Sequence, residues 1–284
     1  MIPLILQHRD GESLTVLAGD RPLFQYTYLP DEAVAAEAPR PYAHPVYSPD
    51  GDVLTCFRPN DHPWHHALSL TLTSVGGVNF WGGPTCRRED GYQWREDHGR
   101  QVHVEWIELG PERLVEAVEW CAPAGTGLLR ETRLLEPRLV PEGWTLRWRS
   151  ELGNVSGRAL VLGNYHASAS LAGSHYTGLQ FRGARGLLSE HGDDKIGVAA
   201  ANGREGESAV HGAFEPWMEW RVQADATLRR TRIRFTDHRA GTYWFVRRAL
   251  PLAAAPFHLD QERVLAPDDL LVLDYTLEFL RHAR

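Results

Sequence analysis

Three histidines, an aspartate, an arginine and a tryptophan fall within residues 58–66, Arg-Pro-Asn-Asp-His-Pro-Trp-His-His. The segment directly precedes the run 67–73, in which every second residue is leucine. Such alternation is typical of a strand with one buried face. Imidazoles at the mouth of a strand suit proton transfer or metal binding, because histidine titrates near neutral pH and its ring nitrogens are common metal ligands.

The spacing of these histidines does not match a known zinc motif. His62 and His66 are four residues apart, but Pro63 lies between them and no glutamate follows His62. The H-E-x-x-H pattern is therefore absent. No cofactor is predicted, and a divalent metal held on loops by His44, His62 and His66 is kept as the alternative. Pro45 biases the preceding His44 toward an extended conformation.

Two further segments carry groups that suit proton transfer. His166 and His175 lie in glycine-rich connections, where glycine permits a close approach of backbone to ligand. Near the C-terminus His258, Asp260 and Glu262 alternate, and they would share one face of an extended segment. The candidate catalytic residues are His62, His166, His175, Asp260 and Glu262.

Arginine and aromatic side chains accompany these groups. Arginine stays protonated at physiological pH and can fork onto hydroxyls or a carboxylate, and a tryptophan can stack on the apolar face of a sugar. We expect His62, with His166 or His175, to transfer protons and Arg247 to position substrate. Side chains 65 and 66 diverge, so we expect His62 and His66 to form the pair at the site and His65 to pack or to bond to backbone. The candidate substrate-binding residues are His44, Arg58, Trp64, His66, Trp81, Tyr176, Arg182 and Arg247.

Composition narrows the class of protein. The chain has 284 residues and a formal charge of −7, which argues against nucleic-acid binding because phosphate contacts need a basic face. Its three cysteines form no C-x-x-C pair, which argues against a cysteine zinc site and a disulfide framework. We find no signal peptide and no long apolar run. We therefore expect a cytoplasmic protein without a membrane partner, and a homo-oligomer is compatible with the sequence.

Short alternating segments, separated by glycine, proline and aspartate turns, recur along the whole chain. In residues 271–279, for example, every odd position is apolar. Only residues 31–37 have a composition that favours a helix, and the glycine-rich segment 203–212 is interpreted as a loop that could cover a site. The pattern predicts one all-β domain over residues 1–284, built as a large antiparallel β-sandwich.

Several of these segments together resemble the PmoA-like family. The resemblance spans most of the chain, and its most specific element is D-H-P-x-H-H at residues 61–66. The other matching runs are 44–51, 78–82, 175–179, 244–247 and 255–257. The methane oxygenase name attached to that family implies a membrane subunit, which does not suit a chain without a spanning segment.

The resemblance implies a galactose-mutarotase-like supersandwich and a role in bacterial sugar metabolism. Aldose epimerases of that fold use a histidine acid and a carboxylate base near the C-terminus. Residues 259–262 resemble the epimerase L-E-T-Q segment, with Asp260 where the epimerase has glutamate. The resemblance therefore leaves Asp260, Glu262 or neither as the base.

Three hypotheses for function follow. The first is a carbohydrate-active enzyme that epimerises a sugar, opens its ring or eliminates across it, because each reaction moves protons between atoms. The second is a non-catalytic sugar-binding or sensing protein, which would leave every sugar unchanged. The third is a metal-dependent lyase or hydrolase with a histidine-rich site, which metal analysis of the protein would distinguish.

Overall fold

The computed structural model describes residues 2–30 and 34–282, and nearly all regular structure in these ranges is β-strand. The strands pair into several antiparallel sheets. The predicted all-β fold, a large antiparallel β-sandwich, is confirmed. Within the described ranges, the helices are α1 (Tyr165–Ser168), α2 (Glu207–Val210) and two 3-10 turns, Ala35–Glu37 and Ala201–Gly203.

The strands are joined by turns and by several longer connections, among them residues 47–67 between the fourth and fifth strands and residues 164–177 between the thirteenth and fourteenth. In chain order they are β1 (Leu4–Arg9), β2 (Ser13–Ala18), β3 (Arg21–Thr27), β4 (Tyr42–Val46), β5 (Leu68–Thr71), β6 (Ser74–Val75), β7 (Thr85–Arg87), β8 (Gly91–Gln93), β9 (Arg100–Gly110), β10 (Arg113–Cys121), β11 (Gly127–Val140), β12 (Gly143–Asn154), β13 (Leu160–Gly163), β14 (Gly178–Arg182), β15 (Leu187–Ser189), β16 (Gly197–Ala200), β17 (Arg204–Glu205), β18 (Phe214–Glu215), β19 (Trp217–Ala224), β20 (Arg230–Asp237), β21 (Thr242–Tyr243), β22 (Phe245–Arg247), β23 (Leu252–Ala255), β24 (Arg263–Leu265) and β25 (Leu270–Arg281).

Two large sheets form the sandwich. The first sheet has the order β1-β2-β3-β4-β5-β14-β23-β22, and the second has the order β17-β16-β19-β20-β25-β12-β11-β10-β9, with β15 also paired to β19. Aromatic side chains join their inner faces: Phe24 stacks on Trp144 at 5.9 Å between ring centroids, and Phe181 meets Phe235 at 5.4 Å. One continuous core therefore lies between the two sheets.

The second sheet shows the alternation expected of a sheet with one wet face. On β12, Trp144, Leu146 and Trp148 are buried toward the first sheet, and the residues between them are partly exposed. The outward Arg147 pairs with Asp274 of the neighbouring β25, Nη2 to Oδ2 at 2.7 Å. Polar side chains on this outer face can thus pair in solvent while the other face excludes water.

The first sheet departs from that pattern at its centre. Every residue of β5, β14 and β23 is buried, although only alternate side chains can face the core between the sheets. The remaining side chains lie on the outer face, so loops must cover it. This covered outer face is the surface that gathers most of the histidines and arginines described below.

A fully buried ionic network crosses the sandwich. The Arg133 guanidinium on β11 donates from Nε and Nη2 to the two carboxylate oxygens of Glu131, at 2.8 and 2.7 Å. Its Nη1 donates to the Tyr26 hydroxyl on the first sheet at 2.7 Å, and Trp120 Nε1 donates to Glu131 at 2.8 Å. Burial of these charges is tolerated because each polar group has a partner.

Two local expectations need correction or restriction. Of the helix-prone segment 31–37, residues 35–37 form a 3-10 turn, and residues 31–33 lie outside the described residues. The segment 203–212 is more regular than a loop, because it contains β17 and α2. No helix within the described ranges is long and apolar enough to cross a membrane.

Removing the cation of the buried network tests its role in stability. Arg133→Met leaves Glu131 without its charged partner, and we expect the free energy of unfolding to fall by about 3–5 kcal/mol. Urea unfolding followed by tryptophan fluorescence measures the change. Arg138→Met, an exposed arginine on the same strand, is the control and should change stability by less than ~0.5 kcal/mol. Equal effects of the two substitutions would contradict the assignment.

Candidate functional site

The outer face of the first sheet is built by strand alternation. Leu68 and Phe181 face the core, so their neighbours Ser69 and Gln180 point to the other side, where they lie opposite each other in register. Arg182 follows on the same face of β14. We call this surface, with the loops that cover it, the outer-face site. It assembles residues that are more than 100 positions apart in the sequence.

Arg40 ties the covering loops to the sheet. The side chain is fully buried, and its guanidinium donates to the backbone carbonyls of Glu37, Ala38, Trp64 and Trp81 at 2.8 to 3.3 Å. Nε and Nη2 also donate to Ser69 Oγ at 3.1 Å and to Gln180 Oε1 at 3.3 Å on the sheet. Burial lowers its pKa to about 9, which still leaves a cation at neutral pH. Sequence reasoning missed Arg40, whose only signal was its position between two prolines.

The loop 58–66 folds as tight turns, and this decides which histidines meet. The His65 amide donates to the His62 carbonyl at 2.9 Å, which brings residues three apart together. The two rings stack at 4.7 Å between centroids. His66 points elsewhere, and its Nε2 lies 3.2 Å from Glu37 Oε2. Residues 65 and 66 thus diverge as expected, but the neighbouring pair is His62 with His65 rather than His62 with His66.

Several buried polar atoms at this site have no partner. Within the described part of the chain, no group accepts from or donates to His65 Nδ1, Gln180 Nε2, or Nε and Nη2 of Arg182. Arg182 Nη1 alone is bonded, to the Pro251 carbonyl at 3.3 Å. Natural proteins pair nearly all buried polar groups, so a cluster of such atoms on one face indicates a place where a ligand or ordered water binds.

Aromatic side chains surround the cluster. The Trp64 indole lies on the backbone of Gly83, where φ is +71° and an added Cβ would overlap the ring. Trp64 is partly exposed and meets the edge of Trp94, which is 63% exposed. Trp81, expected to stack on a sugar, is instead 3% exposed and packs against Tyr176 at 4.7 Å. Sequence reasoning overlooked Trp94, because no pattern distinguished it from core tryptophans.

A second imidazole group lies beyond this aromatic layer. His166 Nε2 meets Asp260 Oδ1 at 2.9 Å, and its Nδ1 accepts from the Gly173 amide at 3.0 Å. His175 is buried beside it, at 6.2 Å between ring centroids, and contacts His211 at 4.5 Å. The structure therefore brings the predicted His166, His175 and Asp260 together. It adds His211, which sequence reasoning missed.

Arg247 belongs to this second group. Its Nη1 lies 2.9 Å from His211 Nδ1, and its guanidinium sits 4.6 Å from the centre of the Phe245 ring. Glu207 Oε1 is 3.6 Å away. Phe245 contacts Tyr176, which contacts Trp81, so aromatic rings connect the two imidazole groups across the sheet.

The C-terminal carboxylates do not share one face. Residues 257–262 bend rather than extend, because His258 is drawn into the interior, where its Nδ1 lies 3.0 Å from Asn164 Nδ2. Asp260 and Glu262 are exposed. Glu262 lies beside Gly163, whose added Cβ would sit 2.8 Å from Glu262 Oε1. Of the two carboxylates, Asp260 is the one that bonds to a predicted histidine among the described residues, His166.

The three histidines of the metal alternative have separate partners. His44 Nδ1 lies 2.9 Å from Thr55 Oγ1, His66 bonds to Glu37, and His62 Nδ1 lies 3.3 Å from Asp61 Oδ2. Among the residues that the structure describes, no group of three or more histidine, cysteine, aspartate or glutamate side chains is arranged to hold a metal ion.

Burial keeps several imidazoles neutral. It lowers the pKa of His44 and of His66 to about 4, and with help from His211 it lowers that of His175 to about 3. Burial and the neighbouring His62 and Arg182 hold the pKa of His65 well below its usual value. A neutral imidazole offers one nitrogen as a proton acceptor at physiological pH.

A groove of about 1380 Å³ elsewhere on the molecule contains none of the predicted residues. Its wall includes Trp144, Leu23 and Arg281. The arginine is engaged with Asp50, Nε to Oδ1 at 2.8 Å. The residues that line the groove include no histidine.

The fold and the site together define the class: an antiparallel β-sandwich that carries a histidine- and arginine-rich site on the outer face of one sheet. The chain belongs to the DUF6807 family, described as a family of unknown function, whose model matches residues 13–283. The comparison with curated proteins found no match.

Solved structures with likeness to this chain include a galactose mutarotase related enzyme from Lactobacillus acidophilus, with 6% identity, 99% of this chain and 98% of that chain covered, and a TM-score of 0.42. A putative aldose 1-epimerase from Escherichia coli K12 has 11% identity, 99% coverage of both chains and a TM-score of 0.40. A galactose mutarotase-like protein from Lactobacillus casei has 8% identity, 98% and 100% coverage and a TM-score of 0.39. These distant likenesses assign no residue and no activity.

The depressed histidine pKa values predict acid sensitivity. The unfolded chain binds protons near pH 6.5 at His175 and His66, whereas the folded chain resists protonation until about pH 3 to 4. The contribution of these neutral histidines to the free energy of unfolding is complete above pH 6.5. It is lost as the pH falls below 6.5, by up to ~1.4 kcal/mol per pH unit for each histidine. Urea unfolding between pH 7 and 5 should show this slope.

The matched variant is His175→Asn. It should reduce the slope of the free energy of unfolding against pH by the equivalent of up to one proton. His191→Asn replaces an exposed histidine and should leave the slope unchanged. A wild-type stability that stays constant between pH 7 and 5 would contradict the neutral, buried state of these imidazoles.

Proposed function

We propose that the protein is a carbohydrate-active enzyme that performs acid–base chemistry at the outer-face site. The observation that carries the proposal is the stacked pair His62 and His65. Among the described residues, Nδ1 of His65 has no hydrogen-bond partner, and Nδ1 of His62 has only the contact with Asp61 Oδ2 at 3.3 Å. Partly exposed Trp64 lies beside them, 5.1 Å from the His62 ring.

His62 is the group best placed to transfer a proton. Its side chain is 35% exposed, so substrate can reach it. Asp61 Oδ2 near Nδ1 favours a proton on that nitrogen, which leaves Nε2 to accept one from a substrate hydroxyl or carbon. A positioned histidine typically contributes ~100- to ~10,000-fold in rate. His65, stacked behind it, would hold the ring in place and serve as a neutral hydrogen-bond partner.

The second imidazole group fits a supporting role. Both ring nitrogens of His166 are engaged, one by Asp260 and one by the Gly173 amide. A proton acceptor needs a free lone pair, so His166 would clamp the loop to Asp260 rather than cycle a proton. Arg247, partly exposed beside His211, would position substrate.

A sugar suits these groups for chemical reasons. Epimerisation, ring opening and β-elimination each take a proton from one atom and return one to another, without requiring a cofactor. Trp64 and Trp94 offer aromatic surface for the apolar face of a pyranose. The sequence resemblance to PmoA-like proteins, with its expected role in bacterial sugar metabolism, supports the same proposal.

The test begins with a search for a sugar that the wild-type protein converts. Nuclear magnetic resonance spectra of each sugar detect the conversion. His62→Ala should then lower kcat by about 100-fold or more while leaving the melting temperature nearly unchanged, because His62 lies in a partly exposed loop. Arg247→Ala should mainly raise KM. His191→Ala, at an exposed position, is the control.

Full activity in His62→Ala would contradict the catalytic assignment. A large loss of melting temperature would show that His62 holds the loop together instead. Sugars that bind and are never converted would favour the non-catalytic binding hypothesis.

A further inference from the structure

The Arg182 guanidinium has two adjacent hydrogen-bond donors, Nε and Nη2, to which no described residue of the protein bonds. Nε and Nη2 lie along one edge of the guanidinium and donate two parallel hydrogen bonds, the geometry that a carboxylate accepts with both oxygens. Among the described residues neither atom has a partner, and the side chain is fully buried. Nη1, on the far side, is held by the Pro251 carbonyl.

Other arginines of this chain show what fills such an edge. Arg133 donates from Nε and Nη2 to the two oxygens of Glu131, and Arg147 does the same to Asp274 at 3.0 and 2.7 Å. In both cases the acceptor is a carboxylate. The same two atoms of Arg182, Nε and Nη2, have no carboxylate acceptor among the described residues.

The charges around Arg182 do not compensate it. Within the described part of the chain, no carboxylate lies within ion-pair distance of its guanidinium. The acidic groups that act on it electrostatically are the Cys56 thiol and Asp61, and Asp61 is already paired with Arg185, Nη2 to Oδ1 at 2.5 Å. Arg40 adds a second buried cation to the same face. An uncompensated buried charge is costly, which favours an anionic ligand.

The adjacent donors fit the same ligand. Gln180 precedes Arg182 by two residues on the same face of β14, and its Nε2 is also without a partner. His65 lies close enough to Arg182 for the two to interact electrostatically, and its Nδ1 is unpartnered. Polar atoms for a carboxylate and for a hydroxyl next to it are therefore gathered at one place.

We infer that Arg182 anchors the carboxylate of an acidic sugar, a uronate or an aldonate, at the outer-face site. The inference rests on the proposed function and names its substrate class. Arg182 Nε and Nη2 would each donate to one carboxylate oxygen, with Gln180 and His65 meeting the neighbouring hydroxyl. The sugar ring would then extend toward His62.

The anchor lies beneath loop 58–66, so binding would require residues 59–62 of that loop to move. His62 is the partly exposed side chain stacked over His65. The loop is held from outside by the exposed Arg185, which bonds to Asn60 and Asp61. Exposed pairs of this kind contribute little to stability, whereas Arg40 holds the Trp64 carbonyl at the other end of the loop, so residues 59–62 would move rather than the whole loop.

Isothermal titration calorimetry on the full chain tests the inference with matched ligands. Each of several uronates and aldonates is compared with its neutral parent sugar, and sodium acetate and inorganic phosphate are titrated separately. We expect at least one acidic sugar to bind roughly 10- to 100-fold tighter than its parent, as charge-assisted paired hydrogen bonds provide. Acetate and phosphate should bind far more weakly than that sugar.

Variants of Arg182 test whether this side chain causes the preference for an acidic sugar over its neutral parent. Arg182→Gln should abolish it, and Arg182→Lys, which keeps the charge and loses the paired edge, should reduce it about tenfold. Arg130→Gln, an exposed arginine on β11 of the second sheet, should retain it. If the Arg182 variants fail to fold, the wild-type comparison of acidic and neutral sugars decides alone.

The outcomes separate this inference from the proposed function. Neutral sugars that bind and react as well as acidic ones would overturn the inference and leave the proposed function intact. An acidic sugar that binds tightly but is never converted would support the inference and count against catalysis. Acetate or phosphate binding as tightly as any sugar would overturn the inference, and a lack of binding by every sugar would end both.

Discussion

The arrangement of the outer face depends on one buried cation, Arg40. Its guanidinium bonds to four backbone carbonyls from three loop segments and reaches Ser69 and Gln180 on the sheet. Buried carbonyls without donors are unfavourable, and a loop cannot supply these donors through regular pairing. Arg40 supplies them from a single point, so the loops that carry Trp64 and Trp81 keep a defined position over β5 and β14.

The buried arginines of this protein have two different environments. Arg133 lies between the sheets, and its paired donors are satisfied by Glu131 within the same chain, which makes it part of the structure. Arg182 lies on the outer face, and the same edge of its guanidinium has no acceptor among the described residues. A buried group that the fold leaves unsatisfied is where a protein can recognise something else.

The histidines also divide into rings that are bonded within the protein and a ring that solvent can reach. His166 and His211 are engaged through both ring nitrogens, and they connect loops 164–177 and 206–213 to each other and to β22. His62 keeps an exposed ring in a short turned loop. The covered face therefore combines imidazoles fixed by hydrogen bonds with one, His62, that solvent can reach.

The alternation of apolar and polar residues was sufficient to predict an all-β antiparallel sandwich, because a strand's two faces follow from a period of two whatever its neighbours are. The same local reasoning found His62, Arg182 and most of the other candidate residues by chemical type. It paired His62 with His66, which was wrong, because a backbone turn three residues long brings His62 against His65 instead. Nor could it find Arg40, Trp94 or His211, since their roles arise from sheet register and loop packing between segments far apart in the chain. Residue types and period were thus determined by the sequence itself, whereas the pairing of distant side chains was decided only by the tertiary structure.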